Sequence, residues 1–359
     1  MQTSRRFPAG LRFGLIGAGD IGQVRAAAVA ESGSHRLVAV SDKDVERGAG
    51  LAARHDAEHC PDWTRLLERD DIDAVIVSTP PALHEDMCVR ALAAGKHVLC
   101  EKPLARSPEE CRRMLGAAER AGRVLATGFN YRFYPSFALA RELLASGAIG
   151  DLSHIRSYGG YSATSHNQPW VHDADVVGGG ALHDIGIHLI DLTRDYLGDV
   201  TEVVRCDSGS VWNFPGCEDN GFLLMRSAAG RVATLHASWT EWGRYQFIVE
   251  LIGTRGSIRA SCFPMRVEMI SARETGGKTR RRVWRFPGIF VGEHLHSYRW
   301  VVRKSFVAEL DAFGRAVAGE TSAVASGLDG LRAIEIARGV VHPDGVSPQG
   351  QMAVAGERH

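Results

Sequence analysis

Leu11-Arg12-Phe13-Gly14-Leu15-Ile16 runs directly into Gly17-Ala18-Gly19-Asp20-Ile21-Gly22, and helix formers follow from Ile21 to Glu31. A short apolar strand that closes into a glycine turn and opens a helix leaves few choices of fold. Gly17 permits the tight turn, Gly19 lets backbone approach a pyrophosphate, and Gly22 lets the helix pack on the strand. The N–H groups of the opening helix, which includes Asp20 and Ile21, and its dipole then hold phosphate charge. A second strand, His35 to Asp42, ends in an acid 20 residues beyond Gly22. That is where a dinucleotide-binding turn places the carboxylate that accepts from the adenosine ribose 2′-OH. An acid there repels a 2′-phosphate, so NAD is expected over NADP, although Lys43 and Arg47 nearby leave NADP open.

Strands and helices continue to alternate. Helices are expected over Val45–His55, Thr64–Arg69, Leu83–Ala94 and residues 107–122, with strands near Ala57–Cys60, Ile72–Ser78, Lys96–Cys100 and Val124–Asn130. Ile72-Asp73-Ala74-Val75-Ile76-Val77-Ser78 is nearly continuous in its apolarity, as buried parallel strands are. The pattern is that of a doubly wound α/β sheet, whose ligand crevice lies outside the carboxyl ends of the strands. Ser78, Thr79, Pro80 and His84 therefore fall near one part of a dinucleotide, and Glu101-Lys102-Pro103 near another. Lys102 ends a buried strand and precedes a proline that restricts it, which makes it a positioned amine able to hold a substrate hydroxyl.

From Asp151 onward the pattern changes to period-2 and aromatic-rich segments at 151–161, 199–212, 221–226, 231–239, 246–252 and 257–261. These predict a largely antiparallel sheet, with helices 136–146 and 181–197 on one face and the other face free to pair subunits as a homodimer or homotetramer. Gly276-Gly277-Lys278-Thr279-Arg280-Arg281-Arg282 is expected to be a solvated hairpin tip. Helices are expected at 300–318 and 328–338, the latter able to return onto either half. The expected division is a nucleotide-binding domain at 1–128, a substrate and oligomerisation domain at 129–341, and a flexible tail at 342–359.

In the second half, Gly178-Gly179-Gly180-Ala181-Leu182-His183-Asp184-Ile185-Gly186-Ile187-His188 joins three glycines to a helical run. Asp184 and His188, four apart, share one face of a helix, where carboxylate and imidazole can serve one proton. Leu182, Ile185, Leu189 and Ile190 would form the buried stripe.

Composition excludes several alternatives. Lys plus Arg and Asp plus Glu each number 42, so no basic footprint for nucleic acid or an anionic membrane exists. The seven cysteines form no CxxC pair and suit a reducing compartment. No apolar run spans a bilayer. Ser4-Arg5-Arg6-Phe7 resembles a twin-arginine signal but lacks the apolar region and cleavage site, so a cytoplasmic location is expected. His183 and His188 point to different helix faces, and His55 and His59 lack a companion glutamate, so no metal site is expected.

The motifs together (Gly17-Ala18-Gly19-Asp20-Ile21-Gly22, Asp42, Ser78-Thr79-Pro80-Pro81 with His84, Glu101-Lys102-Pro103, Asn130-Tyr131-Arg132, and the 178–188 stretch) resemble the Gfo/Idh/MocA oxidoreductase family. The resemblance runs in order from residue 11 to about 261. It implies a Rossmann domain followed by an α/β domain with an open sheet, and NAD(P)-dependent chemistry on a sugar-like carbinol. It also implies Lys102, Asp184 and His188 as the catalytic set, Arg132 on the cofactor side, and Asn130 with the catalytic set on the substrate side. His188 suits a base, since an imidazole titrates near working pH. Asp184 would bind a neighbouring hydroxyl and favour the imidazolium, and Lys102 would orient the reacting oxygen. His166, Trp170 and His172, in a polar loop, would line the substrate pocket. Two other readings keep the fold: net non-redox sugar chemistry with a recycled cofactor, and a cofactor-sensing regulator without catalysis.

Overall fold

The computed structural model describes residues 10–165, 169–208, 211–289 and 298–341. Ser4–Phe7, His166 and the 342–359 tail lie outside the described residues.

The first half builds six parallel strands: β1 (Arg12–Ile16), β2 (Arg36–Ser41), β3 (Glu58–His59), β4 (Ala74–Val77), β5 (His97–Glu101) and β6 (Leu125–Gly128), in the order β3-β2-β1-β4-β5-β6. Strands β4, β5 and β6 are buried along their whole length, because helices cover both faces of a parallel sheet. The helices are α1 (Asp20–Ser32), α2 (Val45–Arg54), α3 (Trp63–Leu67), α4 (His84–Ala93) and α5 (Pro108–Ala121). Their ends are written locally. Ser107 caps α5 by accepting from Glu110 N, Pro108 opens it, and Gly122 closes it at φ +58.

The second half is an eight-stranded sheet of β7 (Leu152–Gly160), β8 (Val200–Ser208), β9 (Asn220–Ser227), β10 (Val232–Ser238), β11 (Gln246–Gly253), β12 (Gly256–Ser261), β13 (Arg266–Ala272) and β14 (Thr279–Arg285). The order is β14-β13-β12-β11-β7-β10-β9-β8, antiparallel except for β7 with β10. The last two strands were not foreseen. Arg280, Arg281 and Arg282 belong to the exposed edge strand β14, not to a hairpin tip. Charges are how an edge strand is kept from pairing onward.

One face of this sheet carries α6 (Pro135–Ala145), α8 (Ala181–Asp184) and α9 (Gly186–Leu197), while the short α7 (Ala174–Val177) lies against the loop after β4. Leu182, Ile185, Leu189 and Ile190 are buried as expected, but every residue of α9 except Asp195 is buried too, so the helix is enclosed and not striped. Glycines set that closeness. A Cβ at Gly221 would meet Leu182 at 2.3 Å, and one at Gly159 would meet Leu189 and Ile185 at 3.1–3.2 Å.

Two C-terminal helices return to the first half. Helix α10 (Tyr298–Val317) lies along α1, and α11 (Gly327–Ala337) packs between α5 and α9. A buried ion-pair network fastens this junction. Arg132 donates from Nε and Nη2 to the two oxygens of Asp191 at 2.8 and 2.6 Å. Asp329, in the capping box of α11, takes Arg194 at 3.0 Å and lies 3.6 Å from Arg132. Burial pushes the Asp191 carboxyl up to about 6 in spite of Arg132.

Arg132→Met should lower stability by roughly 3–5 kcal/mol in urea denaturation, because it leaves a buried carboxylate without its cation. Arg132→Met/Asp191→Leu should lose less. A second expectation concerns acid. Burial holds His97 down to about 4 and His183 down to about 3. Both are neutral in the fold while their unfolded counterparts protonate near 6.5, so their contribution is full above about pH 6.5 and is lost as pH falls toward 4. Asp191 and Glu309, whose carboxyls burial raises to about 6 and about 7, act in the opposite sense. The difference between wild type and His97→Gln isolates the histidine. Between pH 6 and 4.5 the variant should lose about one proton, roughly 1.4 kcal/mol per pH unit, from the slope of unfolding free energy.

Candidate active site

Gly17 sits at φ +98, and a Cβ there would meet Ser78 O at 2.5 Å. At Gly22 it would meet Gly17 O at 2.0 Å, so the helix can start only if that residue has no side chain. Gly19 faces open space, with nothing within 4 Å of a Cβ position. No side chain caps the N-terminus of α1, so its first N–H groups are left for a ligand. Ile21 is exposed beside them, and Ser78 and Thr79 border the turn at the end of β4. Asp42 is nearly enclosed. It accepts from Ala18 N at 2.6 Å, Asp44 N at 2.8 Å and Arg47 Nη2 at 2.6 Å. Burial pushes its carboxyl up, but these donors outweigh burial and hold it below the usual range. A bare helix start, an open glycine and an acid at the end of β2 fit a dinucleotide.

Lys102 follows β5, and its peptide bond to Pro103 is cis. Its Nζ crosses to the second half and donates to Asp184 Oδ1 at 3.0 Å and to the Asp184 carbonyl at 3.3 Å. The other carboxylate oxygen accepts from Tyr161 OH and from Trp239 Nε1, the latter at 3.1 Å. Asp184 ends α8 and His188 lies in the first turn of α9. Ile185 keeps helical dihedrals between them and its N–H still donates to Ala181 O, but the helix breaks here into two. The His188 ring lies 4.3 Å from that of Tyr131 and 5.9 Å from that of Phe129. Burial drives its pKa well below the ordinary value, and Lys102 adds to this while Asp184 opposes it. His188 is therefore a neutral imidazole at neutral pH, and its Nδ1 has no hydrogen-bond partner among the described residues. Lys102, Asp184 and His188 do come together. They do so at the carboxyl end of the first sheet, where a doubly wound fold opens its crevice.

The three glycines make room for the protein itself, Gly178 and Gly180 for backbone and Gly179 for the ring of His183. A Cβ at Gly178 would meet Arg106 O at 2.5 Å and one at Gly180 would meet Glu218 O at 2.2 Å. Glu218 accepts from Gly180 N and Leu182 N at 3.0 and 2.8 Å, which fixes the entry to α8.

Several other candidate residues are engaged with partners inside the protein. His84 is fully buried, with Nε2 2.8 Å from Thr79 O and Nδ1 3.0 Å from Pro103 O, so it pins two crevice loops together. Glu101 turns inward to Arg25 on α1. Asn130 donates to Ser305 Oγ at 2.8 Å, and Arg132 is taken by Asp191, so both brace the interior. His172 stacks on Phe214 at 4.1 Å and meets the edge of Trp239, which places it behind the ring that holds Asp184. Trp170 lies half-buried in the turn Pro169–His172, and His166 lies outside the described residues. Sequence reasoning missed Tyr161, Trp239 and Tyr131. Tyr131 at least sat inside a motif already singled out, whereas Tyr161 and Trp239 carried no local signal.

Two family models match. Residues 11–129 fit the Gfo/Idh/MocA oxidoreductase family's NAD-binding Rossmann fold, and residues 137–259 fit its C-terminal domain. Inositol 2-dehydrogenase of Rhizobium meliloti is 29% identical over 96% of this chain and 99% of its own. Levoglucosan dehydrogenase of Pseudarthrobacter phenanthrenivorans is 31% identical over 69% of this chain and 73% of its own. A solved levoglucosan dehydrogenase in complex with NADH and levoglucosan superposes with a TM-score of 0.81 at 27% identity, covering 92% of this chain and 96% of that one. With both halves matched in order, the chain belongs to the Gfo/Idh/MocA family of NAD-binding oxidoreductases.

Proposed function

We propose that the protein is an NAD-dependent dehydrogenase or reductase that moves hydride between nicotinamide and a carbinol carbon of a sugar, cyclitol, amino sugar or sugar nucleotide. The observation that supports this best is the Lys102 amine lying 3.0 Å from Asp184 beside a neutral His188. NAD supplies the hydride acceptor. The glycine turn and the start of α1 hold its pyrophosphate, and Asp42 takes the adenosine ribose. Asp42 also favours NAD over NADP, while Arg47 on its outer oxygen moderates that preference.

The chain's own groups handle the alcohol. Lys102 donates to the reacting oxygen and stabilises the negative charge that develops on it. His188 accepts the hydroxyl proton, and the nearby Asp184 carboxylate offsets the charge of the imidazolium that forms. Tyr161 and Trp239 keep that carboxylate in place by donating to its second oxygen. Tyr131, its ring 4.3 Å from that of His188 and tilted 32° to it, limits the plane of the imidazole. Outside the site, Val204, Phe222, Leu224 and Ile270 expose apolar surface on the uncovered face of the second sheet, which supports pairing of subunits there.

Polyols, cyclitols and sugars incubated with NAD and followed by NADH absorbance test the reading. A steady rise with one substrate class is expected, and turnover without it would indicate an internally recycled cofactor. Lys102→Ala and His188→Ala should each abolish turnover while NAD affinity stays nearly intact. Loss of NAD binding in both would assign them structural roles. Leu224→Glu should shift the sedimentation mass of the assembly to that of one chain.

A further inference from the structure

Arg25 lies on α1 and is fully buried. Its Nε donates to Glu101 Oε1 at 2.6 Å and its Nη1 to Glu309 Oε2 at 2.5 Å. Its Cζ rests 3.7 Å above the ring of Phe306, so one guanidinium is clamped on three sides. Glu101 is the residue before Lys102, and its second oxygen lies 3.3 Å from Lys102 N. Glu309 and Phe306 both sit on α10, which follows the second sheet in the chain and returns to lie on α1. Gly128 makes room for the clamp, since a Cβ there would be 2.7 Å from Arg25 Nη2.

We propose that Arg25 and Glu309 are positioning residues for Lys102, holding through Glu101 the strand end from which the amine reaches Asp184. The proposal rests on the dehydrogenase reading above. An acid next to a reactive amine could be fixed by any surface partner, but this one is fixed by Arg25, itself held by a helix from the other end of the chain. The seat of α10 on α1 thereby sets where Lys102 stands over the crevice that α1 itself opens. Two carboxylates facing one buried guanidinium leave a charge to be neutralised. Burial pushes the Glu309 carboxyl up to about 7, with Arg25 pulling it down and Glu101 and Asp191 pushing it up. Glutamine at 309 reproduces the protonated acid and retains an acceptor for Arg25, whereas alanine removes the anchor.

The test uses the full chain and three measurements. They are steady-state turnover, NAD affinity by fluorescence quenching, and the acetylation rate of Lys102 by an amine-reactive ester mapped by peptide mass. Glu309→Ala should lower kcat about 10–100-fold, the scale of a small misplacement of a reacting group, with NAD affinity within threefold. It should also raise Lys102 acetylation severalfold as the amine leaves Asp184. Glu309→Gln should restore most of kcat. If Glu309→Ala does not fold, Arg25→Lys carries the same three expectations. Unchanged kcat and acetylation in the variant, or NAD affinity lost in the same ratio as kcat, overturns the proposal. If wild type turns over no sugar or cyclitol, the dehydrogenase reading fails, and acetylation with NAD affinity still decides the brace.

Discussion

The contact between Lys102 Nζ and Asp184 at 3.0 Å joins an amine at the end of β5 to a carboxylate at the end of α8. Neither half contains both groups. The distance between them depends on the first sheet, on the seat of α8 and α9 against the second sheet, and on the helices that lock the two sheets together. Each of these is fixed by close approach. Gly159 and Gly221 let α8 and α9 down onto the sheet, Glu218 fixes the turn into α8, and His84 ties the loop after β4 to the loop after Lys102.

The junction between the halves is built on buried charge. Arg25 takes Glu101 and Glu309, and Arg132 takes Asp191. Apolar replacements of similar volume often match such pairs in stability. What a guanidinium adds is direction, since its planar fork accepts carboxylates only along fixed lines. At a junction that must hold an amine within hydrogen-bond reach of a carboxylate, direction matters more than raw stabilisation.

The same reasoning explains why α9 is enclosed on all sides. A helix lying between the second sheet, α6 and α11 has no wet face, so its polar residues must find internal partners, and Asp191 and Arg194 do. His188 is the exception, its Nδ1 without a partner among the described residues and its ring kept neutral by burial. The enclosure that makes the imidazole an acceptor also requires its neighbours to be rigid aromatic rings, Tyr131 and Phe129.

The amino-acid order by itself determined the strand–glycine–helix start, the parallel first sheet, the acid at Asp42 and the Glu-Lys-Pro amine. All of these depend on residues close in the chain, where steric rules for glycine and proline and the period of apolar residues act directly. It also marked Asp184 and His188, because four-residue spacing survives the interruption at Ile185. Only the tertiary structure decided which motif residues face the crevice. Glu101, Asn130 and Arg132 belong to the same motifs as Lys102, yet their partners lie far along the chain, in α1, α10 and α9, and draw them inward, while His84 is held between the loops after β4 and after Lys102. Tyr161 and Trp239 reach Asp184 from the ends of the central strands β7 and β10, 23 and 55 residues away. Burial and pairing are properties of the whole packed chain, so a residue's motif can name its chemistry while its distant neighbours choose its direction.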